Sequence, residues 1–494
     1  MGVAPVSFTG RKTDMNNKII KDVTEAAKIK AEIDIKAEEL KNEILTSKSD
    51  YSEAYGNIYY VSENGDDNNE GLSPETPLKT LEKASSLDLL PGDAVLFKRG
   101  ETFRGTLKGK QGVIYSAYGE GKKPVITNSL RNYADPDIWE ETEVKNVYKL
   151  TIPLTNDVGV IVFNEGEAWS EKRIKGRPEF PQGGLENLDV DLSMWHDIPK
   201  PLEETGYVYL RCDKGNPGRI YDSIEIATRK NIASCAKDVT YDNIAFKYGG
   251  AHGIGAGTVE GLTVRYCEFG WIGGSWFRTD ILSRYGNAIE IYGGCRNYIC
   301  DHNYIYQIYD AGITHQCKNP KGDILMCDIK YNCNLVEDTT YSIEYFLTFA
   351  DPNALEEGEA LGKRYMKNVE MCGNILRRSG YGFGDQRPDK SRAAHIKGWN
   401  HDNPAMNYTI HDNIFDTSKY MLLHIGAAHH KYLPKLWNNT YVSGSDEKAS
   451  FGEYGDFTKD ADERIYKMIN YDESFEKDIE ELVCEDGSIF VIEK

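Results

Sequence analysis

An asparagine set among apolar and β-branched residues returns through the second half of the chain at a spacing too short for a self-contained domain. It stands at Asn243, Asn303, Asn334, Asn374, Asn413 and Asn439, with Tyr266 occupying the slot in one copy. The successive intervals are 23, 37, 31, 40, 39 and 26 residues, which reads as one basal unit in the low twenties lengthened four times by insertions. A unit of that length cannot close its own core, so neighbouring copies must stack to bury it. The flanking residues are β-branched and aromatic rather than helix-periodic, which makes each unit a coil of short strands. An amide at a fixed place in every coil can bond its equivalents above and below at the strand spacing of about 4.8 Å. The expected architecture is therefore all-β, a single-stranded parallel β-helix.

A second landmark follows each asparagine by nine or ten residues: Ile313 after Asn303, Ile343 after Asn334, Phe383 after Asn374. If these apolar residues point inward, alternation of side chains puts Glu290, Thr314, Glu344 and His424 outward as one polar stripe. Insertions at 276–285, 317–323, 348–365 and 388–404 flank the stripe, and loops rising around a rigid sheet are how such scaffolds wall a groove.

Composition narrows the partners. A net charge of −20 argues against nucleic acid or an anionic membrane as the main target, and no apolar run reaches membrane-spanning length. The ten cysteines lie mostly on predicted strands (Cys267, Cys295, Cys300, Cys327, Cys333, Cys372) without metal-ligand spacing. They read as small core residues, and neither a metal nor a cofactor is expected. The N-terminus carries no apolar signal-peptide core, so an extracellular or virion-associated protein would be made in the cytoplasm and released without one.

The N-terminal arm carries a heptad seam: Ile19, Val23, Ala26, Lys30, Ile33, Ala37, Leu40 and Ile44, spaced alternately four and three. Two readings compete, a helix lying on the body and a self-associating stalk. The regularity favours the stalk, an α-helical coiled-coil arm for self-association; the mixed seam does not settle two strands against three, and a homotrimer is the expected assembly. The domain plan is an arm over 1–50, the coils over 51–445 with a capping helix near 78–86, and a C-terminal extension over 446–494.

The stretch 58–77, a strand running into a turn dense in Asn, Asp and Gly, and the stretch 90–100, Leu-Pro-Gly-Asp-Ala-Val-Leu-Phe-Lys-Arg-Gly, closely resemble the entry of right-handed parallel β-helix proteins acting on carbohydrates, the pectate-lyase-like superfamily. The resemblance continues through Asn164–Trp169, Lys214–Pro217, Tyr285–Glu290, Asp310–Gln316 and Gly384–Pro388, and covers roughly 57–445. It implies a right-handed coil and a carbohydrate partner, while the superfamily spans lyases, hydrolases, epimerases and binders. The absent signal peptide and the heptad arm resemble the organisation of viral tail spikes, many of which are depolymerases.

Glycosidic hydrolysis usually needs two carboxyl groups. Glu344 is the expected general acid, with Asp385 or Glu290 as its partner, although the register sets Gly384 rather than Asp385 beside Glu344. Asp310, His315, Gln316, Arg284, Arg387, Tyr345, Trp276, Trp399 and His424 are the expected substrate-binding residues. For any one of these the ordinary explanation, a solvated carboxylate or a bonded core histidine, is the commoner one; their convergence on one strip is what lifts them above it. The leading function is a polysaccharide-cleaving glycoside hydrolase. A polysaccharide lyase, with His315, Tyr285, Arg387 or Lys397 abstracting a proton beside a uronate, and a non-catalytic carbohydrate-binding spike are the alternatives.

Overall fold

The computed structural model describes residues 17–493 except 177, 179, 199–203, 279–280, 319–323, 349–363, 389–392, 401–404, 428–432, 445–447, 454–466 and 471–486. Two large sheets run the length of the molecule. The first holds eleven strands, all paired in parallel, from Ile58–Val61 through Cys295–Asp301, Ile324–Asn332, Arg364–Cys372 and Ala405–His411 to Lys435–Trp437. The second holds nineteen strands, and the chain alternates between the two. Cys295–Asp301 leads into Tyr304–Lys318, and Ile324–Asn332 leads into Leu335–Thr348. One continuous apolar core fills the space between the sheets, from Val61 and Leu78 to Tyr441 and Phe490. At its N-terminal end the short helix Leu81–Ser86, capped by Thr80, inserts Leu81 and Ala84 into that core. The parallel pairing runs past residue 445: Ile489–Glu493 pairs with Thr440–Gly444 on one side and with Lys18–Ile20 on the other.

The repeated asparagines form a buried column. The side-chain amide of Asn303 donates to Oδ1 of Asn334 at 2.9 Å, Asn334 to Asn374 at 2.9 Å, Asn374 to Asn413 at 2.9 Å, and Asn413 to Asn439 at 3.2 Å. Each Oδ1 also accepts the backbone N–H of the preceding asparagine at 3.0 Å. Asn243 and Tyr266 stand one residue off the column. They occupy the left-handed position just before it (φ 57° and 49°), matching His302, Cys333, Asp412 and Asn438. The column's place in their coils belongs to Ile244 and Cys267, and Cys267 N donates to Asn303 Oδ1 at 3.0 Å. Of the cysteines on these strands, Cys267, Cys295, Cys300 and Cys327 are buried and unpaired, and Cys333 and Cys372 are half-buried.

The arm departs from the stalk expectation. The helix Val23–Thr46 lies on the second sheet with Ala26, Ile33, Ala37 and Ile44 of its seam turned inward and Val23 exposed. Ala26 and Ile33 pack on Val442 and Val491, and Ala37 and Ile44 on Tyr304, Leu335 and Ile375. Asp34 pairs with Arg377, and Lys41 stands over the Tyr304 ring. A heptad seam specifies an apolar stripe without specifying what covers it; here the body's own strands do. The seam is thus not available for a coiled coil. Placing a carboxylate in it by Ala37→Asp is expected to lower stability by about 2 kcal/mol or more without changing the mass seen by light scattering. A drop from trimer to monomer would restore the stalk.

A second departure is an insertion with no repeat of its own. Val125–Thr127 pairs directly with Ala245–Gly249, and Leu107–Lys108 with Ala233–Ser234. The intervening chain builds a separate, mostly antiparallel body with its own core around Leu150, Phe163 and Leu210.

Candidate functional site

The polar stripe forms one column on the outer face of the second sheet. Pairing sets Glu290 opposite Gly255, Thr314 opposite Glu344, Glu344 opposite Lys397, and Lys397 opposite His424. Ile289 pairs with Ile313, which places Thr314 beside Glu290. Glu290 and Glu344 are therefore two rungs apart with Thr314 between them, about 9–10 Å along the sheet.

The two carboxyl groups sit in different surroundings. Glu290 is buried; Asn287 Nδ2 donates to its Oε2 at 2.5 Å, and Thr314 Oγ1 lies 2.8 Å from the same oxygen. Burial dominates and pushes its pKa up, the bonds from Thr314 and Asn287 pull it back, and the charges of Asp310 and Glu344 push it up again, to about 7. Glu344 is equally buried but held as half of an ion pair. Lys397 Nζ stands 2.6 Å from Oε1, and Gln316 Nε2 donates to Oε2 at 2.6 Å. Burial works against the Lys397 charge, yet Glu344 more than offsets it and the ammonium's pKa lies above its ordinary value. Lys397 also lies 4.0 Å from the Tyr341 ring centroid. Asp310 pairs with Arg387, whose guanidinium spans the rings of Tyr309 and Tyr341 at 5.8 and 5.5 Å.

Other expected site residues fall elsewhere. His315 and Tyr345 point into the core, because they alternate with the outward Thr314, Gln316 and Glu344. Their rings stack at 5.3 Å, and His315 bonds the hydroxyls of Tyr331 (2.9 Å) and Tyr408 (3.2 Å). Burial pushes the His315 pKa down to about 3. Asp385 lies on the one-turn helix Gly382–Gln386, off the stripe, and its carboxylate faces Lys419 at 2.5 Å. The nine-residue offset from Asn374 lands on that turn. The strand of this coil is Ala394–Asn400, so Lys397 takes the place beside Glu344. Gln316 and His424 lie on the outward face and are buried. Trp399 pairs in register with Phe346, and its side chain lies outside the described residues, as do 319–323, 349–363 and 401–404 of the expected loops.

Arg284 and Trp276 sit on the hairpin Ser275–Arg278 and Ile281–Tyr285. Arg284 is buried over the Tyr309 ring at 4.3 Å, donates to the Gly274 carbonyl at 2.6 Å and reaches Gln386 Oε1 at 3.3 Å. Trp276 packs instead against Ile174 and Phe180 of the insertion. Sequence reasoning missed Asn287, which holds Glu290, and the aromatic pair Tyr292 and Phe346, whose centroids are 6.3 Å apart. Both rings stand two residues past a stripe carboxylate and therefore on its face, a signal that alternation carries. Tyr292 is 45% exposed, an accessible aromatic ring on the face that carries the carboxyls.

No family model matches the chain. A 106-residue segment is 36% identical to a lacto-N-biosidase of Bifidobacterium longum; it covers 19% of this chain and 6% of that protein. The chain thus spans a small fraction of the curated relative it matches. Among solved structures, XylC with xylose is similar with a TM-score of 0.38 and 13% identity, over 88% of this chain and 82% of that one. The GH136 lacto-N-biosidase from Eubacterium ramulus gives 0.33 and 12%, over 79% and 65%. A structure described as a glycoside hydrolase gives 0.41 and 10%, over 88% and 96%. None of these likenesses is close enough to show the family.

Proposed function

We propose that the chain is a glycoside hydrolase built on a right-handed parallel β-helix, cleaving an oligo- or polysaccharide with Glu290 as general acid and Glu344 as general base. The observation that carries this reading is the contrast between two carboxyl groups on one strip. Glu290 titrates near neutrality, and Glu344 is held by a cation. A carboxyl able to hold a proton near neutrality, on one strip with a carboxylate paired to a cation, is the arrangement acid and base catalysis needs. This reverses the roles expected from sequence, and the reason is Lys397. A general acid must carry a proton, and Glu344 is instead half of an ion pair, with the Lys397 ammonium 2.6 Å from its Oε1. Both hydrogen bonds to Glu290 fall on Oε2, so Oε1 is the oxygen left to hold the proton and deliver it to the leaving glycosidic oxygen. Glu344 then activates water on the opposite face of the sugar. A two-rung separation fits the wider spacing of an inverting pair, about 6.5–9.5 Å between carboxyls. The short match to a lacto-N-biosidase also supports a glycan substrate.

None of the four bases the lyase alternative named is placed to serve. His315 is in the core, Lys397 is locked as an ammonium, and Arg387 is tied to Asp310. Tyr285 is enclosed by Arg229, His252 and Phe277, and burial raises its pKa. Incubation with a glycan panel tests the class. Reducing ends without new ultraviolet absorbance are expected; absorbance from an unsaturated sugar would indicate a lyase, and neither product a binder. Nuclear magnetic resonance of the fresh product should show inversion at the anomeric carbon, whereas retention would transfer the second role to Asp310, whose charge acts on Glu290 from the neighbouring strand.

The pH dependence follows from Glu290. The active form is protonated, so the rate should hold below the raised pKa and fall as pH rises through about 7. An enzyme whose rate is unchanged from pH 6 to about 9 would not be using this carboxyl as its acid.

A further inference from the structure

The ridge where the chain turns from the first sheet to the second carries a group of metal-ligand side chains that the reaction proposed above does not use. They come from three successive coils. Cys372 pairs in register with His411, and the Cys333 N–H donates to the Cys372 carbonyl at 3.0 Å. One donor atom each from Cys372, His411 and Asp412 lie within 4.8 Å of one another. Around a single zinc ion, with sulfur at about 2.3 Å and nitrogen and oxygen at about 2.0–2.2 Å, such atoms stand roughly 3.3–3.8 Å apart. Small side-chain rotations close that difference. Cys372 and His411 are 39 residues apart in sequence, so no local ligand spacing announces them; stacking of the coils brings them together.

Gly373 leaves the space for an ion. It sits at φ 67°, in the left-handed position that carries a side chain in the other coils: Tyr266, His302, Cys333, Asp412 and Asn438 stand there at φ 49–56°. The backbone therefore does not demand glycine at this place. A Cβ on Gly373 would stand 3.2 Å from Cys333 Sγ, so that sulfur already leans over the gap, between Cys372 and the coil of Asp412. On its other side Cys333 meets His302, which is paired with Asp301 at 2.8 Å.

The surroundings suit a cation. Among the described residues the ion pairs of Asp412 and Glu370 are with His411 alone: Asp412 Oδ2 lies 2.6 Å from Nδ1, and Glu370 Oε1 lies 3.6 Å from Nε2. Both ring nitrogens thus face a carboxylate, the usual means of orienting a metal-ligating imidazole. The ring is also stacked on Trp437 of the next coil, 4.2 Å away and 7° from parallel. Lys330 stands in register with Glu370 but is exposed. Burial and the nearby Asp412, Glu370 and Cys333 push the Cys372 thiol up to about 11, a balance that a bound dication reverses. We propose that Cys333, Cys372, His411 and Asp412 bind one zinc-class divalent ion over the gap at Gly373. Sulfur, nitrogen and oxygen together are the donors of that borderline-soft ion, whereas calcium and magnesium take oxygen. Four protein ligands fill a tetrahedral shell, so the ion is structural and ties three coils together at one ridge. The site stands independently of the glycan reading and of Glu290 and Glu344.

Equilibrium dialysis of the reduced, chelator-treated full chain against zinc tests this, together with the absorption spectrum of the same protein loaded with cobalt(II). One zinc per chain should bind, with a dissociation constant below about 0.1 µM. The cobalt form should show the visible bands of a tetrahedral ion and a thiolate charge-transfer band. Cys333→Ser, Cys372→Ser and His411→Ala should each weaken binding by about tenfold or more. Gly373→Ala should weaken it as well, because it removes no ligand and only fills the space. Zinc should slow amide exchange in the strands that begin at Leu335, Ile375 and Ile414 of the wild type and not of Cys372→Ser. Slow exchange near Val95 and Tyr115 in every variant separates loss of the site from loss of fold. Absence of stoichiometric zinc overturns the proposal, as does a cobalt spectrum without the thiolate band. Zinc binding indifferent to Cys372→Ser and His411→Ala would mean an adventitious ion only. A Cys333–Cys372 disulfide in the protein as purified would give the two sulfurs another role and overturn the site.

Discussion

Glu290→Gln is expected to slow turnover by about 10²–10⁴-fold while leaving substrate affinity largely intact, the usual cost of removing a general acid. Glutamine keeps the length of the side chain and an oxygen to accept from Asn287 and Thr314, and it loses only the transferable proton. The loss should depend on the leaving group. An aryl glycoside whose phenol departs without protonation should recover most of the rate in Glu290→Gln and none of it in Glu344→Gln, which removes the base. Glu344→Gln carries a second consequence, because it leaves the buried Lys397 ammonium without its counter-charge. Its thermal stability should therefore fall, which Glu290→Gln should not show. If Glu290→Gln keeps wild-type turnover on a natural glycan, the acid is elsewhere. If Glu344→Gln alone shows the leaving-group dependence, the order of roles read from sequence was right and the Lys397 argument is not.

The parts of this picture that a sequence can carry are those fixed by repetition and alternation. The asparagine column was legible because each member needs the same residue above and below it. It was misread by one residue at Asn243 and Tyr266, because the left-handed position just before the column also favours asparagine. The stripe was legible as alternation about Ile313 and Ile343. Lys397 was named only as a possible lyase base; its place beside Glu344 was missed because the chain after Asn374 makes a helical turn before its strand, and no periodicity announces that turn. The insertion was invisible for a similar reason: its antiparallel strands share no unit with the coils around them. The heptad seam gave the buried face of the N-terminal helix correctly at Ala26, Ile33, Ala37 and Ile44 and the wrong partner for it, since a stripe of small apolar residues suits a sheet as well as another helix. The roles proposed for the carboxyls were beyond sequence altogether. They depend on which groups stand beside each carboxyl: Asn287 reaches Glu290 from three residues upstream, and Lys397 is brought to Glu344 by the register of two strands.

Asn374→Ala should be among the most destabilising single substitutions in the coils. Asn374 is fully buried in mid-column, and four hydrogen bonds end on its side chain. Its Oδ1 accepts from the backbone and the side-chain amide of Asn334 at 3.0 and 2.9 Å, and its Nδ2 donates to the Tyr331 carbonyl at 2.7 Å and to Asn413 Oδ1 at 2.9 Å. Alanine strands two donors and the Tyr331 acceptor; Asn413 Oδ1 still receives the Asn374 backbone N–H at 3.0 Å. Three unsatisfied groups at about 1–3 kcal/mol each put the loss at roughly 3 kcal/mol or more. A chain of this size need not unfold in one step, so the midpoint of melting alone is a poor gauge. The strands around Asn374 pair with the strands on either side of them, so the damage should be local. Amide exchange should quicken in the strands that begin at Leu335, Ile375 and Ile414, and remain slow near Val95 and Tyr115. Unchanged exchange in those three strands, with an unchanged melting temperature, would mean that the column records the fold's geometry without holding it together.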